Sequence, residues 1–158
     1  MKKAEKTNVM RLLEQKKVPY VSHSYADTDA LAGVEVAAVL GEDPDKVFKT
    51  LVTVGASKTH YVFMIPVAEE LDLKKAAKAV GEKSIAMIAA KELLPLTGYI
   101  HGGCSPIGMK KPFLTVIHHT AAAFDTIFFS AGKIGYQVEV APDALKTILA
   151  FTLADITV

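Results

Sequence analysis

Two strand-forming runs, VFKTLVTV (47–54) and HYVFMIPV (60–67), are separated only by GASK and one threonine. A connection that short folds the second run back on the first, so the chain is committed to a β-hairpin and to a sheet built around it. Period-two alternation then fixes the side chain of Lys49, on the first arm, to one face.

The flanking sequence supplies helices and further strands. Ala4, Val9, Met10, Leu12 and Leu13 recur at helical spacing around Thr7, a candidate cap, and predict a first helix ending near Lys16-Lys17. VPYVSHSY is strand-like, GVEVAAVLG reads as a helix closed by Gly41, and DLKKAAKAVG as an amphipathic helix closed by Gly81. A short apolar run, SIAMI, and a helical AKELLPL follow; FLTVIH, TIFFSAG and YQVEVAP read as three more strands. PDALKTILAF predicts a closing helix with Pro142 and Asp143 in its first turn. Hairpins mixed with helices imply an α+β fold: a mixed, mainly antiparallel, curled and barrel-like sheet with surrounding helices. At 158 residues, with no repeat or linker, residues 1–158 are expected to form one domain around one core.

No apolar run approaches the ~20 residues that cross a bilayer, and the polar, amphipathic start MKKAEKTNVMRLLEQKK lacks the apolar centre of a signal peptide. A cytoplasmic protein with no membrane association is the expectation. A single cysteine excludes an internal disulfide and a cysteine-rich zinc site. With a net charge of +1, any nucleic-acid contact must come from local lysine clusters. Lys2, Lys3, Lys6, Lys16 and Lys17 are one such group, readable either as a contact surface or as a solvated helix face.

The densest concentration of unusual residues is YIHGGCSPIGMKKP, from Tyr99 to Pro112. A P-loop is excluded, because Met109 occupies its lysine position and Pro112 with a β-rich run replaces the helix that holds the phosphates. A Cys104 nucleophile needs a base such as His101, His118 or His119, yet a lone cysteine between glycine and serine is more often a small buried side chain. Adjacent strand residues point to opposite faces, so His118 and His119 are not expected to share a metal. Gly102-Gly103 with Pro106 and Gly108 describes either a tight turn or a loop stripped of side chains, so that a substrate carbonyl reaches backbone N–H groups. A second glycine-lysine loop, SAGKIGY (130–136), favours a site.

FKTL, DLKKAAKAVG, TGYIHGGCSPIGMKK and FFSAGKIGYQVEV, in that order and spacing, resemble the YbaK/EbsC family of free-standing aminoacyl-tRNA deacylases, related to the editing domain of bacterial prolyl-tRNA synthetases. The likeness runs over nearly the whole chain. It implies that Lys49 is the lysine on which activity depends, that Gly102 and Gly103 line the acyl site as oxyanion donors, and that Tyr25 and Ser130 shape the amino-acid pocket. Thr50, Ser105 and Gly132 are further expected at the substrate, and Lys110, Lys111 and Lys133 at the tRNA. Cys104 stands where the family commonly has isoleucine and Ile134 where it often has arginine; the stretch from Tyr25 to Gly33 departs from the pattern of the cysteine-specific branch.

The implied reaction removes cysteine mischarged on tRNA(Pro), with the substrate's own thiol attacking the ester and no metal or cofactor. A proline pocket cannot strongly exclude cysteine, since one methylene is worth only ~1–3 kcal/mol, which is why a second site is needed. The implied partners are aminoacyl-tRNA and prolyl-tRNA synthetase, not DNA. A related deacylase clearing alanine or another small residue with water as nucleophile, and a non-catalytic tRNA- or synthetase-binding module, are the alternatives.

Overall fold

The computed structural model describes residues 6–158, with the expected hairpin at its centre. Strand β2 (Phe48–Gly55) pairs antiparallel with β3 (His60–Pro66), Phe48 opposite Pro66 and Val54 opposite His60. β3 is covered on both faces: Tyr61, Phe63 and Ile65 pack with Ala76, Ala77 and Val116, whereas Met64 joins a separate core. A strand buried on both sides reads as an unbroken apolar run, as HYVFMIPV does.

On the outer side of β2, β4 (Ile85–Met87) pairs with Thr53, Val54 and Gly55 alone, leaving the edge from Phe48 to Leu51 without a strand partner among the described residues. On the other side, β5 (Leu114–His118) adds to β3 in parallel and β8 (Phe151–Ala154) adds to β5 in parallel. A second, antiparallel sheet takes the order β1 (Val21–Ser24), β7 (Tyr136–Val140), β6 (Ile127–Ser130). A single bridge, Val47 to Phe128, ties the sheets together. Antiparallel pairings outnumber parallel ones, in keeping with the expected mixed α+β fold.

Local sequence explains the helices. In α1 (Asn8–Gln15) the Thr7 hydroxyl accepts the Met10 N–H, and Val9, Met10 and Leu13 enter the larger core with Ile117, Ile127, Phe129 and Val138. Ala4, Lys2 and Lys3 lie outside the described residues. In α3 (Leu73–Val80) the Asp72 carboxylate accepts the Lys74 and Lys75 amides, and Gly81 closes the helix at φ +73°. α2 (Gly33–Leu40) and α4 (Ala90–Thr97) end likewise on left-handed glycines, Gly41 and Gly98.

The closing helix is a correction. PDALKTILAF is helical only over Pro142–Leu145 (α5); the Ile148 and Leu149 amides both return to the Leu145 carbonyl, and the chain leaves this tightened turn as β8. An apolar run of that length suits helix or strand, and the open edge of β5 decides it.

Candidate functional site

A cavity of about 360 Å³ opens where the two sheets meet. The unpaired edge of β2 forms one wall, so Lys49, Thr50 and Leu51 all line it; Ser130 at the end of β6 and Tyr136 and Gln137 of β7 line it too. Tyr25 and the apolar residues around the start of α2, including Leu31 and Val34, line it as well. The Tyr25 N–H donates to the Gly135 carbonyl at 2.8 Å, which pins the residue to the second glycine loop. His101, Gly102 and Cys104 come from the Tyr99–Pro112 loop, which the Tyr99 hydroxyl fastens by donating to the Ile107 carbonyl.

Five of the expected residues therefore meet at one cavity: Tyr25, Lys49, Thr50, Gly102 and Ser130. Three others, contrary to expectation, lie outside its lining. The Gly103 N–H already donates to the Ile100 carbonyl at 3.0 Å and is not an open oxyanion donor. Gly103 instead lets two loops touch, because a Cβ there would lie 3.1 Å from the Ile134 nitrogen and 3.4 Å from the Lys133 backbone. Ser105 is fully buried, with its hydroxyl at the Ile107 N–H, and the Gly132 N–H donates to the Ser130 hydroxyl at 3.1 Å. A Cβ at Gly132 would meet Tyr99 and Val9 at 2.9 Å, so this glycine serves packing. Lys110 and Lys111 are exposed and outside the lining, as is Lys133, whose ammonium sits 5.9 Å from the Tyr136 ring centre.

The polar inventory of the cavity is unusual. No aspartate or glutamate lines it, and Lys49, half-buried, makes no ion pair among the described residues. Among the described residues Thr50 Oγ1 and Gln137 Oε1 are buried without a hydrogen-bond partner, although buried polar atoms are nearly always paired, and the Gln137 side chain also meets the half-buried Glu42 carboxyl. Burial pushes the Cys104 thiol up to about 12, so it keeps its proton at neutral pH and is no nucleophile. Gln137, Tyr136 and His101 are site residues that the sequence does not disclose. A glutamine inside YQVEV gives no sign that it faces a cavity, and His101 reads in the sequence only as a helper for Cys104.

His118 and His119 also depart from expectation. Their ring centres lie 4.5 Å apart, because β5 ends at His118 and a 3-10 turn begins at His119, which breaks the alternation of faces. Asp155 brings a third candidate ligand atom within 4.8 Å. The donor set nevertheless suits a metal poorly. His118 Nδ1 accepts the Ile156 N–H at 3.2 Å, which places the proton of the neutral ring on Nε2, facing Thr157, and leaves no lone pair for a cation. The histidine fastens the C-terminal segment.

Comparison with known proteins agrees with this geometry. Residues 28–148 match the model of the aminoacyl-tRNA editing domain. The chain is 48% identical, over 99% of its length and 96% of the relative's, to the "Putative Cys-tRNA(Pro)/Cys-tRNA(Cys) deacylase EbsC" of Enterococcus faecalis. Its fold is shared with a solved "putative trans-editing enzyme for prolyl tRNA synthetase" (TM-score 0.81, 24% identity, 95% of this chain and 94% of that one). A structure titled as a hypothetical protein is similar too (TM-score 0.85, 20% identity, 95% and 99% coverage). The chain belongs to the aminoacyl-tRNA editing domain family.

Proposed function

We propose that this protein is a trans-editing deacylase that removes cysteine from tRNA(Pro), the cysteine thiol itself attacking the ester that joins it to the terminal ribose. The observation that carries the reading is a cavity of about 360 Å³, within the range of small-molecule sites, that holds Lys49 and no Asp or Glu among the described residues, and whose one thiol, that of Cys104, is kept protonated by burial. An aminoacyl ester is already activated, so orientation and charge stabilisation are the main tasks left to the protein.

Each side chain then has a role its chemistry suits. The Lys49 ammonium holds a phosphate or ribose oxygen of the terminal nucleotide and polarises the site. Gln137 Oε1 and Thr50 Oγ1 accept hydrogen bonds from the α-ammonium of the amino acid. The Gly102 N–H, which has no backbone acceptor among the described residues, receives the oxyanion. Tyr25 and Ser130 bound the side-chain pocket, and prolyl-tRNA synthetase is the partner that supplies the mischarged tRNA. The deciding experiment charges tRNA(Pro) with Cys, Ala, Ser or Pro and follows deacylation by the purified protein. Rapid loss of Cys with Ser, Ala and Pro retained supports the reading. Preference for Ala points to water as nucleophile, and loss of none refutes an editing enzyme.

A further inference from the structure

We propose that His101 is the general base of this site, taking the thiol proton of the bound cysteinyl ester and returning it to the departing ribose oxygen. The inference rests on the deacylase reading above and adds a residue to it. A thiol of ordinary pKa ~8.5 is mostly protonated at neutral pH, so attack by sulfur requires a proton acceptor within reach. Among the described residues the cavity wall offers no carboxylate, and burial keeps the Cys104 thiol protonated. Imidazole is the side chain whose ordinary titration range lies nearest neutrality, and His101 is the one imidazole among the residues lining the cavity.

Backbone geometry presents it well. Ile100 to Gly103 form a β-turn closed by the bond from the Gly103 N–H to the Ile100 carbonyl, with a positive φ at the third position, Gly102 (+87°), and not at the second. That is a type II turn, which demands glycine at its third position and puts His101 at the outer corner. His101 is exposed there, and among the described residues its ring has no hydrogen bond, ion pair or ring contact. The next residue, Gly102, carries no side chain to block it and has an N–H without a backbone acceptor, so proton acceptor and oxyanion donor adjoin on one turn. The other titratable groups around the cavity are Tyr25, Lys49 on β2, Tyr136 on β7 and Cys104, with Lys133 on the adjoining loop.

The step balances without a co-reactant. The imidazole accepts the S–H proton as sulfur bonds to the carbonyl carbon; the oxyanion then collapses, the ester C–O bond breaks, and the imidazolium gives the same proton to the ribose oxygen. A thiolactone and a tRNA with a free terminal hydroxyl leave, and His101 is neutral again.

The test measures steady-state deacylation of Cys-tRNA(Pro) by wild-type, His101→Gln and His101→Ala proteins across pH. Loss of a general base predicts a fall of about 100-fold in kcat with KM within about threefold, and disappearance of the acid limb of the kcat profile. Millimolar imidazole should restore part of the His101→Ala rate in proportion to its concentration. A His101→Gln protein with wild-type kcat, or with the acid limb unchanged, overturns the base and leaves the deacylase standing. A wild-type protein inactive on every charged tRNA overturns both.

Discussion

Gly102 and Gly103 are adjacent in sequence, yet the structure requires glycine at each for a different reason, and the difference can be measured. At Gly102 the demand is conformational: φ is +87°, while an added Cβ would find only the Ile134 side chain, at an ordinary 3.6 Å. An L-residue held there costs about 1–2 kcal/mol, and asparagine, which tolerates left-handed backbone better, should recover part of that. At Gly103 the backbone is unremarkable but space is absent, since the Cβ would lie 3.1 Å from the Ile134 nitrogen and 3.4 Å from two Lys133 backbone atoms. Backbone cannot rotate away as a side-chain tip does, so alanine forces the loops apart at about 1–3 kcal/mol, asparagine costs at least as much, and valine more. With a urea m-value of roughly 2 kcal/mol/M, these costs lower the unfolding midpoint by about 0.5–1.5 M. Urea titrations of the Ala and Asn variants at both positions, followed by far-UV circular dichroism, distinguish the two cases. Asparagine should be better than alanine at 102 and no better at 103. A Gly103→Ala protein as stable as wild type would refute the loop contact, and equal behaviour of Ala and Asn at 102 would refute the turn assignment.

Three further outcomes are expected. Lys49→Ala should lower kcat/KM on Cys-tRNA(Pro) by at least about 100-fold while leaving the urea midpoint unchanged, because the ammonium makes no ion pair among the described residues; near-normal turnover removes Lys49 from the site. Cys104→Ala deletes one buried heavy atom at a cost on the order of 1 kcal/mol. It should keep kcat within about threefold, because the protonated thiol does no chemistry; a loss of several orders of magnitude, together with an acyl adduct on Cys104 of the wild-type protein in the mass spectrum, would restore a protein nucleophile. His118 is held below its ordinary 6.5, first by desolvation and then by His119, so the unfolded chain binds its proton more readily than the folded one. Its stabilising contribution is complete above 6.5 and is lost as pH falls toward the depressed folded value. Urea midpoints of wild type should therefore drop on acidification more steeply than those of His118→Asn, and parallel pH profiles would contradict this.

What the sequence discloses here is what short range decides. The β2–β3 hairpin follows from a turn between two runs, and the ends of α1, α2 and α3 follow from Thr7, Asp72, Gly41 and Gly81, because each cap acts on residues three or four positions away. β8 is hidden because Phe151 pairs with Thr115, and no local pattern reports which edge is open that far back in the chain. The inference that His118 and His119 face apart fails for a related reason, since alternation holds only while the strand continues. At the site, motif resemblance points to Lys49, Thr50, Gly102, Ser130 and Tyr25, which meet at one cavity. It does not separate Gly102 from Gly103, a distinction that depends on the approach of a loop thirty residues on. Nor does it reveal Gln137, whose exposure to the cavity depends on the Val47–Phe128 bridge that joins the two sheets.

A site whose nucleophile belongs to the substrate discriminates by reactivity as well as by fit. Proline and cysteine differ too little in size for a cavity of about 360 Å³ to separate them sharply by volume, as a synthetase pocket also fails to do. On the proposed mechanism, correctly charged Pro-tRNA(Pro), which has no side-chain thiol, would enter, be held by Lys49 and Gly102, and leave intact. Ser-tRNA carries a hydroxyl whose anion is far scarcer at neutral pH than a thiolate, and it should survive for the same reason. A protein base or nucleophile held where it activates water, instead of the substrate thiol as proposed for His101, would abolish that protection, because it would hydrolyse any ester the cavity admitted. The absence of Asp and Glu from the cavity lining among the described residues and the protonated state of Cys104 therefore suit a proofreading site of the proposed kind. Introducing a carboxylate by Gln137→Glu should turn selectivity into a liability: Pro-tRNA(Pro) hydrolysis should rise measurably above background while Cys-tRNA(Pro) turnover changes less. If the Gln137→Glu variant spares Pro-tRNA(Pro) as fully as wild type does, selectivity resides in the shape of the pocket and not in its lack of a carboxylate that could activate water.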